Sequence, residues 1–186
     1  VRHRLTLIAR RGPLRPLSGL VASALLILFN AAPLAAQVRL VEVGISCPDF
    51  REGVIIEAPG TPSGFVRRIQ GISFDLPGRS LPAVPGLGFG FRTEVEGDTP
   101  VKARMITRHP PMGPDGITEQ AYSITLPAGG QTCGRIYRFD YGYELLVGTW
   151  TLAVEVEGKT AVSVDFTVID GPDARVGAAC GMRLQS

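Results

Sequence analysis

On either side of Gly158-Lys159 the chain carries an apolar side chain at every second position. Trp150, Leu152, Val154 and Val156 alternate with Thr151, Glu155 and Glu157, and Val162, Val164, Phe166 and Val168 alternate with Ser163, Asp165 and Thr167. A period of two puts every apolar member on one face of an extended strand, whereas a helix would scatter them around its axis. Two such runs about a Gly-centred turn predict an antiparallel hairpin with one buried face. Trp150 has the largest apolar area to hide, so it is expected between two sheets, with Leu152, Val154, Val164 and Phe166 as neighbours.

The same period recurs upstream. Leu87, Phe89, Phe91 and Val95 share one face, with Gly88, Gly90, Arg92, Glu94 and Glu96 on the other. After a turn at Gly97-Asp98-Thr99-Pro100, Val101, Ala103, Met105 and Thr107 oppose Lys102, Arg104 and Arg108, with Ile106 breaking the alternation. Weaker strand signals cover residues 38–46, 66–74, 120–126 and 132–139, and residues 54–57 form a short apolar piece. Gly/Pro-rich connections occupy residues 59–64, 76–86 and 110–116. About seven strands at short spacing predict an all-β fold, a single antiparallel sandwich over residues 37–186 with a loop-like tail from about residue 170. The glycines alternating with aromatics at Gly86, Gly88 and Gly90 are expected to let another backbone or ring lie close. They are not a phosphate cradle, because no helix start follows them.

Residues 1–36 read as a secretory signal. Arg2, Arg4, Arg10, Arg11 and Arg15 precede an apolar run over residues 20–29, then Ala31-Ala32-Pro33-Leu34-Ala35-Ala36. The apolar run is ten residues long, about half of what a spanning helix needs. The rival reading, an uncleaved anchor over residues 17–36, would have to take in Ser18, Gly19, Ser23, Asn30 and Pro33. Cleavage after Ala36 is expected, giving a periplasmic or secreted protein with no stable membrane span. The leader holds five of the chain's 19 basic residues and none of its 17 acidic ones, which leaves 14 basic against 17 acidic residues. A net charge of −3 without a clustered basic face argues against a nucleic-acid partner.

Cys47, Cys133 and Cys180 would meet an oxidising compartment, which predicts one disulfide and one leftover thiol. The expected pair is Cys47–Cys180, since it would tether a tail with no strand pattern to the end of the first strand; Cys133–Cys180 is the rival. Three dispersed cysteines and one histidine outside the leader give none of the spacings of a zinc site, and no acidic loop resembles a calcium cage. No metal or cofactor is expected. His109 lacks an accompanying nucleophile motif and is expected to pack on Pro110 and Pro111 at a strand end. Arg108, His109, Pro110, Pro111 and Met112 are the candidate interaction loop, extended and stiffened by proline, or else a rigid connection. Tyr141 and Tyr143 are a candidate aromatic patch.

Phe89-Gly90-Phe91-Arg92, His109-Pro110-Pro111-Met112, Tyr137 with Phe139-Asp140, Glu144-Leu145 with Gly148-Thr149-Trp150, and Phe166 with Val168 occur in that order. Together they resemble a bacterial family known as domain of unknown function 3859, over roughly residues 86–169. The resemblance implies an envelope-associated β-rich domain with no assigned activity, and brings no catalytic residues. The Gly-Thr-Trp start of an alternating strand also resembles the penultimate strand of immunoglobulin-like domains, although no cysteine pair brackets Trp150. The expected fold is therefore an immunoglobulin-like β-sandwich.

The sequence points to a non-catalytic periplasmic interaction or structural module, with no catalytic residues and an envelope protein as the expected class of partner. The alternatives are an envelope enzyme using carboxylates such as Asp140 and Glu144, a surface-assembly subunit, or a small-ligand carrier. A deep concave site where carboxylates converge would favour the enzyme.

Overall fold

The computed structural model describes residues 38–48, 53–69 and 71–182. The proposed leader and its cleavage site at Ala36 lie outside these residues.

Among the described residues eleven strands form in chain order: β1 (Val38–Ser46), β2 (Val54–Glu57), β3 (Phe65–Arg68), β4 (Leu76–Pro77), β5 (Ser80–Pro82), β6 (Gly88–Val95), β7 (Val101–Met112), β8 (Ile117–Leu126), β9 (Thr132–Arg138), β10 (Gly148–Val156) and β11 (Lys159–Ile169). One sheet has the order β4-β1-β6-β9, a second β5-β11-β10-β7-β8, and β2 pairs with β3 in a third. The expectation of a wholly antiparallel fold of about seven strands is thus corrected: β5 runs parallel to β11, and the hairpin β2–β3 is a separate small sheet. Short strands such as β4 and β5 carry too few residues for alternation to show.

The predicted C-terminal hairpin is present, with Trp150 opposite Phe166 and Leu152 opposite Val164. Its turn is Glu157-Gly158, where φ is 51° and 73°, the paired positive values of a two-residue hairpin turn. Trp150 is fully buried between the larger sheets. Its ring neighbours come mostly from the facing sheet: Phe89 at 5.7 Å, Tyr137 at 4.8 Å and Phe139 at 5.7 Å between centroids. The indole N–H donates to the Leu146 carbonyl at 2.9 Å, so burial leaves no polar atom of the ring unpaired.

Residues 66–74, read as one strand, are strand only as far as Arg68. Beyond it the chain crosses the outer face of the first sheet, where Ile72 lies against Gly134 and Phe74 against Gly44. A Cβ on Gly44 would stand 2.4 Å from that of Phe74, and one on Gly90 only 1.8 Å from the Arg135 carbonyl oxygen. The glycine-rich face therefore exists to admit close backbone and ring approach.

The tail is not wholly loop-like. Ala174–Cys180 forms a short helix, α1, capped by the Asp173 carboxylate, which accepts from the backbone N–H of Arg175 and Val176. It ends at Gly181 in the left-handed region, and it buries Val176. Seven residues are too few for a helical period to register in sequence. The Cys47–Cys180 disulfide is formed as expected, joining the end of α1 to the end of β1, and Cys133 remains a half-buried free thiol. No described helix is long and apolar enough to cross a membrane.

Candidate functional site

The two long flanks of the sandwich are finished differently. On one, the chain passes directly from β4 beside β1 to β5 beside β11, lacing the sheets together. On the other, β9 and β8 are the free edges of their sheets. The hairpin β2–β3 lies across this second flank, its turn fastened to β8 by a bond from Ala121 N–H to the Gly60 carbonyl at 3.0 Å. Beneath it is an open cleft of about 1330 Å³.

Register decides what the cleft presents. On β9, Tyr137 lies opposite Phe89, Arg135 opposite Phe91 and Cys133 opposite Thr93, so all three share the inward face. On β8, Gln120 lies opposite Thr107 and Tyr122 opposite Met105, which turns them inward as well. The interior layer at this flank is consequently polar, between an apolar core and the cleft.

A continuous hydrogen-bonded chain runs through it. His109 Nδ1 donates to the Pro110 carbonyl at 2.8 Å, and its Nε2 accepts from Gln120 Nε2 at 3.1 Å. Gln120 Nε2 also donates to the Tyr137 hydroxyl at 3.3 Å, and Tyr137 donates to Glu144 Oε1 at 2.8 Å. Glu144 Oε2 accepts from the backbone N–H of Asp140 at 2.6 Å and of Tyr141 at 2.8 Å. His109, Gln120, Tyr137 and Glu144 are all buried. Burial holds the His109 imidazole below its ordinary pKa, which fits the neutral ring this pattern of donors requires. Burial pushes the Glu144 carboxyl and the Tyr137 phenol upward, the first against the pull of its N–H donors.

His109 is not at a strand end, although its ring does bond to the Pro110 carbonyl. It stands within β7, its ring 4.9 Å from that of Trp150. The expected loop Arg108–Met112 is likewise corrected: these residues are the last of β7, with a break in the β7–β8 register between Arg108 and Met112. Proline has no N–H to give a ladder, and the irregularity accommodates both Pro110 and Pro111. His109 and Met112 are buried, Arg108 pairs with Glu119, and Pro111 faces outward.

The two carboxylates named for an enzyme both border the cleft and both have partners: Asp140 pairs with Arg138 at 2.6 Å, and Glu144 is engaged as above. Tyr141 and Tyr143 stack on each other, centroids 5.3 Å apart and planes within 5°, each roughly half exposed. The Cys133 thiol is pushed up by burial, with Arg68 acting in the opposite direction. Among the described residues no cluster of three metal-ligating side chains forms.

Gln120 and Arg135 were not legible as site residues. The signal for Arg135 is its place in the alternation Cys133, Arg135, Tyr137, but Ile136 on the opposite register competes for the inward face.

Among solved structures the chain resembles an immunoglobulin-like protein from Pseudomonas aeruginosa, with 20% identity and a TM-score of 0.46 over 73% of this chain and 99% of that one. It is also similar to an alkylpurine DNA glycosylase from Pseudomonas fluorescens bound to DNA containing an abasic site analogue, with 15% identity and a TM-score of 0.36 over 72% of this chain and 30% of that one. A third likeness is to a beta-D-glucoside glucohydrolase from Trichoderma reesei, with 10% identity and a TM-score of 0.35 over 72% of this chain and 19% of that one. No curated protein matches the chain. The family match extends the resemblance read from the second half of the sequence back through β1 and the hairpin: over residues 35–168 the chain belongs to the family described as Domain of unknown function (DUF3859).

Proposed function

We propose that this chain is an exported, non-catalytic binding module of immunoglobulin-like build, whose ligand seats in the cleft at the β8/β9 flank. Export is supported by the basic, apolar, small-residue order of residues 1–36 and by the Cys47–Cys180 disulfide, a bond that persists in oxidising compartments.

The observation that carries the non-catalytic reading is the state of Glu144. An acid or base must offer a proton or a lone pair to a substrate. Glu144 instead spends both oxygens inside the fold, one on Tyr137 and the other on two backbone N–H groups. Asp140, the second carboxylate of the enzyme alternative, is ion-paired with Arg138. Both carboxylates of the enzyme alternative thus already have partners within the fold.

A photo-crosslinking amino acid placed at Ser63 or Gln131, on the cleft, and at Ser163, on the outer face of β11, tests the reading in intact cells. Partner capture from the two cleft positions and none from Ser163 supports it. Capture only from Ser163, or turnover of a substrate abolished by Glu144→Gln in folded protein, contradicts it.

A further inference from the structure

We infer that the cleft binds an oxyanion, a carboxylate or phosphate group of the ligand, through Arg135 assisted by Arg68; this rests on the binding-module reading above. Arg135 faces inward from β9, between the sheets. Its Nη2 donates to Thr107 Oγ1 at 2.8 Å and its Nη1 to the Ile136 carbonyl at 3.3 Å, while its Cζ lies over the Tyr122 ring, 5.1 Å from the centroid. None of these partners carries a negative charge. Its Nε is buried and has no acceptor.

Arg92 Nε is likewise buried without an acceptor, but Arg92 has the Glu42 carboxylate beside it. Arg39, Arg92, Arg104, Arg108, Arg138 and Arg175 each meet a carboxylate. Among the described residues, no carboxylate pairs with Arg135, Arg68, Arg67 or Lys102, and all four border the one cleft. Arg67 and Arg68 leave opposite faces of β3, Arg67 lying over the Phe65 ring, and Arg68 is close enough to Cys133, two residues from Arg135 on the same face, to act on its thiol. Of the four described acids that border the cleft, Asp140, Glu144 and Glu155 are already partnered, and Glu157 alone stands against Arg135, Arg68, Arg67 and Lys102.

Taking a guanidinium out of bulk water without a counter-charge is costly, and a buried orphan N–H adds to the cost. Thr107 and the Ile136 carbonyl anchor the group through one N–H of each Nη, leaving the other N–H of each unspent. A fixed planar fork is what bidentate recognition of a carboxylate or phosphate requires. An oxyanion would supply the missing charge and accept from the second N–H of Nη1 and Nη2, with the Arg68 guanidinium beside it.

The test is titration of the whole protein with pyrophosphate, citrate and inorganic phosphate at constant ionic strength, followed by calorimetry and by the arginine Nε–H resonances. Saturable binding of pyrophosphate or citrate that shifts one buried arginine signal is expected. Arg135→Gln should weaken it at least tenfold, about 1.4 kcal/mol, and Arg135→Lys should not restore it, whereas Arg39→Gln should leave it unchanged. Preference for pyrophosphate identifies a phosphate-bearing ligand, and preference for citrate a carboxylate-bearing one. If Arg135→Gln fails to fold, the exposed Arg68→Gln carries the test with an expected loss in the same direction. No saturable binding of any of the three anions, or binding undiminished in the variants, overturns the inference. Crosslinking from Ser63 and Gln131 that persists in the Arg135→Gln protein would overturn it while leaving the binding-module reading standing.

Discussion

The Tyr137 hydroxyl donates to Glu144 Oε1 at 2.8 Å, and this bond joins β9 to the 3₁₀ turn at Gly142–Glu144 that leads into the Trp150 strand. Through Gln120 it reaches β8 and through His109 it reaches β7, so one hydrogen-bonded chain ties both sheets at the flank where the core meets the cleft.

Removing either end of that bond should destabilise the fold, and the two losses should not add. Tyr137→Phe strands an oxygen of Glu144 and an N–H of Gln120; Glu144→Gln sets an amide N–H₂ among N–H and O–H donors. Each should cost about 1–3 kcal/mol in urea unfolding. The double variant should fall short of the sum by about 0.5–3 kcal/mol, the coupling expected of neighbours in one network. Strict additivity would show that the bond contributes nothing to stability.

His109 makes the stability pH-dependent with a definite sign. Its folded pKa lies below the unfolded value of about 6.5, so on acidification the unfolded state takes up the proton first. The stability contributed by the neutral ring is complete above that value and is lost as the pH falls through the lower, folded one. Glu144, at the far end of the chain, has the opposite sign: its raised folded pKa lets the folded state bind the proton first, which favours folding as the pH falls toward about 4.5. Comparison with His109→Gln separates the two. The stability difference between wild type and variant should shrink between pH 7.5 and pH 5, and a constant difference would mean that the imidazole is not held neutral by burial.

The disulfide should matter most to the tail. It closes a loop of 133 residues, for which the chain-entropy account allows at most about 5 kcal/mol. Cys180→Ser should lower the unfolding midpoint and speed amide exchange in α1 well beyond any change in β10. Non-reducing peptide mapping should find Cys47 linked to Cys180, with Cys133 free. A linked peptide containing Cys133 would contradict the pairing.

Gly90→Ala should cost about 1–3 kcal/mol or more, because a methyl group there runs into the β9 backbone rather than into a side chain that can move. Gly142→Ala, where a Cβ meets nothing within 4 Å, should change stability by less than about 1 kcal/mol. Equal effects at both positions would show that β9 does not lie close over Gly90.

The strands that carry the core were legible because their side chains pay for burial in a regular period. Trp150 to Val156, Val162 to Val168 and Phe89 to Val95 all read correctly from alternation alone. The site was less legible for a physical reason: its residues break the rule that the inward face is apolar. Thr107, His109, Gln120, Arg135 and Glu144 occupy buried or half-buried positions where sequence reasoning expects a hydrocarbon, and only the three-dimensional network that satisfies them explains their presence. His109-Pro110-Pro111 misled in the other direction, since two prolines suggest a break that the β7 irregularity absorbs without ending the strand.

Amide hydrogen exchange of the wild-type protein, free and bound to the partner captured by crosslinking, tests the central claim most directly. Binding at the β8/β9 flank predicts slowed exchange in residues 54–68, 117–126 and 132–138, with β11 unchanged. Protection confined to β5 and β11, with those three segments unaltered, would place recognition on the laced flank and contradict the account.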